Sequence, residues 1–149
     1  MLPIEIEMDE LFSKNALGLY AQAFRCLKQS LPFPPGYLPL IAEAMKQHPE
    51  FDPYWLSGET AFAPQEIDGY IVNPLVHIGL HVAVEFQLSS DQPAEVRTIH
   101  KALLSKGLSP HEAIHQIARV WGNLYFRNIR RSEAFDEALY IIELEQLTL

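Results

Sequence analysis

The chain has 149 residues and a mass of 17.0 kDa, with hydrophobic residues at 48% and charged residues at 20%. A chain of this size hides about 69% of its unfolded surface on folding, so one core forms without staples, and the composition excludes a disordered or collagen-like chain. Eleven Lys and Arg against nineteen Asp and Glu leave a net charge of −8, which disfavours partners held through phosphates, nucleic acid and anionic membranes alike.

The opening residues, MLPIEIEMDE, carry acid where a secretory signal would have a basic start and an apolar core. The single cysteine, Cys26, lies in an apolar helical pattern with Leu19, Ala23 and Leu27 and reads as a small buried hydrophobe. Both features suggest a reducing cytoplasm. The most apolar stretch, Tyr70 to Val84, is interrupted by Asn73, Pro74, His77 and His81, so the expectation is a soluble protein without a membrane span.

From Asp9 to Ser30 apolar residues recur at helical spacing and predict one long amphipathic helix. The run LPFPPG removes backbone donors and fixes φ, so that helix must stop there. A second helix is expected from Tyr37 to Gln47. Residues 48–72 show no sustained period and many aromatics, which reads as a packed excursion with one short helical turn; the aromatic segment Phe51 to Tyr70 is a candidate surface for a protein partner or a second copy.

Asn73-Pro74 and Ser109-Pro110 each place a capping residue before a proline suited to the first helical position, and fix two helix starts. Between them, Gln92-Pro93 opens a helix running to about Lys106 and closed by Gly107. Ser132 is expected to cap the last helix, which ends near Leu147. Strand-like alternation occurs only in IEIE near the start. The fold class is therefore all-α, a single-domain bundle of about six helices over residues 1–149.

The helix from Leu75 to Leu88 is apolar around its whole circumference, as buried helices are. Three of its few polar residues, His77, His81 and Glu85, fall one turn apart within a stripe of about 80°. That stripe has no Lys or Arg, and two imidazoles with a carboxylate are donors a divalent metal needs. The competing reading is a hydrogen-bond ladder on a partly exposed face.

A second constellation, His111-Glu112-Ala113-Ile114-His115, matches H-E-x-x-H, in which two imidazoles bind zinc and the glutamate acts as base. Glu112 is the candidate catalytic residue on that reading. However, Ser109-Pro110-His111-Glu112 is also a capping box, and Glu112 falls nearly opposite the apolar stripe of its helix. Glu112 with His115 also forms the E-x-x-H pair of dimetal bundles.

Together the two stripes define a candidate divalent-metal site, for zinc or iron, drawn from His77, His81, Glu85, His111 and His115. His81 and His115 are expected to reach one ion while Glu112 caps its own helix. His100, on the intervening helix, is a candidate further ligand or supporting group, and His48, next to Pro49, is expected at the surface. The matching function is metal-assisted hydrolysis; the alternative is a non-enzymatic interaction module, as a homo-oligomer or with a protein partner.

The segments Asn73-Pro74-x-x-His77-x3-His81-x3-Glu85-x-Gln87, Pro93 and His111-Glu112-Ala113-x-His115 resemble, in their His and Glu spacing, a bacterial family known as domain of unknown function 1841. Ala44 to Trp55, AMKQHPEFDPYW, is similar to that family's helix followed by a His-Pro-Glu-aromatic segment. The resemblance covers about residues 38 to 126. It implies a mostly helical bacterial protein and joins the two His/Glu segments into one signature, but it transfers no reaction.

Overall fold

The computed structural model describes residues 8–149, so the IEIE stretch at residues 4–7 lies outside the described part. The described chain is predominantly α-helical, in two compact units, Met1–Val82 and Ala83–Leu149.

In the first unit, 3₁₀ turns at Met8–Leu11 and Lys14–Ala16 precede helix α1, Leu17–Gln29. The single long helix expected from Asp9 is therefore broken. Ser13 is extended (φ −100°, ψ 158°), which lets the consecutive residues Leu11 and Phe12 both turn inward; on a continuous helix they would point about 100° apart. Helix α1 ends at Ser30 in the left-handed region, and the proline-rich run follows as irregular chain. Helix α2, Leu38–Lys46, packs on α1.

Two more 3₁₀ segments, Pro49–Tyr54 and Gly58–Phe62, then lead into a hairpin of β1, Gln65–Ile67, and β2, Tyr70–Val72, paired antiparallel with Gln65 opposite Val72. This hairpin corrects the expectation that strands were confined to the start of the chain. Asp68 and Gly69 both have positive φ (52° and 86°), the requirement of the turn whose twist suits a two-residue hairpin.

Helix α3, Pro74–Ser90, begins as its sequence dictates: the Asn73 side chain accepts from the Val76 amide at 3.2 Å. The helix carries the boundary between the units. Leu75, Ile78, Val82, Ala83 and Val84 are all fully buried, which bears out the all-round apolar pattern.

A Cβ built at Gly79 of α3 would lie 2.6 Å from the Phe12 ring and 3.1 Å from the Tyr20 hydroxyl. Tyr20 cannot retreat, since its buried hydroxyl donates to the Leu11 carbonyl at 2.9 Å. The glycine is thus where the N-terminal turns press against α3. Gly79→Val is expected to lower the denaturation midpoint by the equivalent of about 2 kcal/mol, the scale of overpacking a filled core. A midpoint equal to wild type would show that the Phe12 ring moves aside freely.

In the second unit, helices α4 (Ala94–Ser105), α5 (Pro110–Arg130) and α6 (Glu137–Gln146) pack against one another. Gly107, at φ 99°, follows α4 as expected. Ser132 does not cap α6. It adopts φ 53° and closes α5, its amide bonding Ile129 O while the Glu133 amide bonds Asn128 O, the paired bonds that end a helix on a left-handed residue. Asp136 is the cap, accepting from the Leu139 amide at 3.0 Å. Buried Gln87 and Tyr140 satisfy each other, the tyrosine hydroxyl donating to Oε1 at 2.6 Å.

His100 on α4 is held by a hydrogen bond to the backbone of Pro110, while its Nε2 is buried without a hydrogen-bond partner among the described residues. Burial lowers its pKa below the usual 6.5, the backbone bond opposing this only in part. The unfolded chain therefore takes up this proton at a higher pH than the folded one. Stability should fall as pH drops from about 6.5 to the folded-state value and then level off. His100→Gln is expected to flatten that part of a melting-temperature profile; an unchanged profile would assign the slope to other groups.

Candidate metal centre

The chain just past the end of α2 and the first two turns of α3 supply three histidines to one place. His48 follows α2 directly; against the expectation of a surface residue it is 2% exposed. Its signal was present in the sequence, because Ile41, Ala44, Met45 and His48 continue one helical stripe. The Nδ1–H of His48 donates to the Ala44 carbonyl at 2.9 Å. A carbonyl only accepts, so Nδ1 holds the proton and the Nε2 lone pair is left directed outward from α2.

That lone pair meets α3, where the His77 Nε2–H donates to His48 Nε2 at 3.1 Å. His81, one turn on and 2% exposed, completes the group. Its ring centroid lies 4.4 Å from that of His48 and 5.1 Å from that of His77. Ring nitrogens of the three, one per residue, lie within 4.8 Å of one another, close enough to hold one metal ion.

The chemistry of this donor set fits an ion. Nitrogens about 2.0–2.1 Å from a tetrahedral zinc are about 3.3–3.4 Å apart, and the His48–His77 separation of 3.1 Å already has that scale. Histidine ligands characteristically give their other N–H to a carbonyl, which fixes ring and tautomer; His48 does so with Ala44. His77 is half-buried, so the proton it would release has a route to water.

Of the residues singled out in the sequence, His77 and His81 are brought together in the first unit. Glu85 continues α3 in the second unit and is half-buried. His111 and His115 occupy the first turns of α5, their rings 4.2 Å apart at 52°. Glu112 is exposed and forms the capping box in full: its carboxylate accepts from the Ser109 amide and its amide donates to the Ser109 hydroxyl, both at 3.1 Å. Among the described residues no helix is long and apolar enough to cross a membrane.

These features define a helical protein with a buried histidine cluster. The family model described as "Domain of unknown function (DUF1841)" matches residues 15–146, and the chain belongs to that family. The match extends beyond residues 38–126 to include all of α1 and α6. No curated protein and no solved structure matches the chain.

Proposed function

We propose that the protein binds a divalent metal through His48, His77 and His81. The observation that supports this reading is the convergence of three imidazoles, one of them with its tautomer already set by the Ala44 carbonyl. An all-imidazole set suits zinc first and iron second.

Metal-assisted hydrolysis would further need an open coordination position and a base. The carboxylate of Glu112 is engaged by the Ser109 amide, so the proposal stops at metal binding. The second reading, an interaction module that acts as a homo-oligomer or with a protein partner, is favoured by the His77–His48 hydrogen bond, which joins the two rings without an ion.

Elemental analysis of protein purified without affinity tag or chelator separates the two. About one zinc or iron per chain is the expected result; no metal, together with no response to added zinc, would leave the hydrogen-bonded network. Glu112→Ala is expected to leave metal content unchanged and to lower stability by about 1 kcal/mol as the capping box is lost. Loss of metal in that variant would return Glu112 to the site.

A further inference from the structure

Phe51 lies three residues beyond His48, and its placement follows from the turn between them. Pro49 opens the 3₁₀ segment, and the Phe51 amide donates to the His48 carbonyl at 3.0 Å. This short turn folds the Phe51 ring flat against the His48 imidazole, with centroids 5.3 Å apart and planes within 10°. The same ring stands across His77 at 5.3 Å and 83°. Phe51 is 3% exposed. One aromatic side chain therefore walls two of the three donors, and Trp55 backs it at 6.3 Å.

We propose that Phe51 makes this cluster selective for an ion that sheds its water and accepts four-coordinate geometry. The inference rests on the metal reading given above. The ring has no lone pair to offer and covers ground where coordinated water would stand. Its flat contact with His48, together with the Nδ1–H bond to Ala44, restrains the imidazole from both sides. Magnesium, which keeps most of its hydration, and manganese, which prefers oxygen ligands and six-coordination, meet an apolar wall; zinc or cobalt(II) is content with four nitrogen ligands. Apolar surroundings of this kind control solvent access to a metal, and loss of a group that orients a ligand, as Phe51 orients His48, costs about 10- to 100-fold in affinity.

Cobalt(II) added to the full-length, untagged protein reports geometry directly, since four-coordinate cobalt absorbs strongly in the visible and hydrated six-coordinate cobalt is pale. The wild type is expected to give intense bands that zinc removes by competition and manganese does not. Phe51→Ala should bind cobalt about 10- to 100-fold more weakly, with pale spectra and poorer discrimination between zinc and manganese. Phe51→Leu keeps apolar bulk without a flat ring and should lie in the same direction; it stands in if the alanine variant does not fold. Phe51→Tyr should restore the wild-type spectrum. Wild-type spectra and affinities in both the alanine and leucine variants would overturn the role of Phe51 while leaving the metal reading in place. Absence of cobalt and zinc binding in the wild type would overturn both.

Discussion

Val82→Asp is expected to leave the protein largely unfolded at 37 °C. Val82 is fully buried, and Ile78, Ala83 and Val84 on the same helix are buried to the same degree. A carboxylate placed there would not remain charged, yet even its protonated form must bury a hydroxyl and a carbonyl where a methyl packed before. Substitutions that bury an unmatched polar group in this way cost more than about 4 kcal/mol, a large share of the roughly 5–15 kcal/mol available to a domain. Val82→Thr is the control: it keeps the shape, and its hydroxyl can donate to the carbonyl one turn back, so the cost is about 1–2 kcal/mol. Circular dichroism during denaturant titration measures both. A Val82→Asp midpoint equal to wild type would mean that α3 is not a core helix.

Zinc should raise the melting temperature of the wild-type protein and leave that of His48→Ala unmoved. A ligand that binds only the folded state stabilises by about 2.7 kcal/mol at a hundredfold excess over its Kd. For a chain of this length that is a rise of roughly 5–10 °C. Removing His48 deletes the donor whose tautomer is set and breaks the contact with His77. Differential scanning calorimetry with zinc, and with magnesium as a control ion, reads the effect. Equal zinc shifts in both proteins would remove His48 from the site, and no shift in the wild type would remove the ion altogether.

Capping chemistry made the second half of the chain legible. Asn73-Pro74 and Ser109-Pro110 act locally, through one side chain and the next turn of amides, so no distant contact could override them. The failures have equally local causes. Ser132 and Asp136 are both good capping residues, and Ser132 was already committed to ending α5. The hairpin was hidden because three-residue strands are too short to show alternation, although Asp68-Gly69 between Ile67 and Tyr70 carried the turn signal. Breakage of the first helix depends on Phe12 reaching Gly79, a contact 67 positions away in sequence.

For the site, the helical spacing of His77 and His81 was enough to single them out. His48 was missed because a histidine beside a proline suggests the surface, whereas the stripe of Ile41, Ala44 and Met45, carried on just past the end of α2, delivers it inward. Phe51 was legible only as the aromatic of the His-Pro-Glu-aromatic segment and the start of an aromatic stretch, not as a neighbour of the histidines. Its position depends on a 3₁₀ turn whose only mark was Pro49.

The bond between His48 and His77 spans 29 positions of sequence, and everything from the 3₁₀ segments to the hairpin is suspended between those two anchors. Closing such a loop costs entropy that rises only with the logarithm of its length, about 0.6 kcal/mol for each doubling. Residues added at the hairpin turn, beside the exposed Tyr70 and Ile71, therefore weigh little on the histidines that close the loop. The hairpin is a place where this chain can be lengthened, tagged or diversified by insertion while its buried cluster stays as it is.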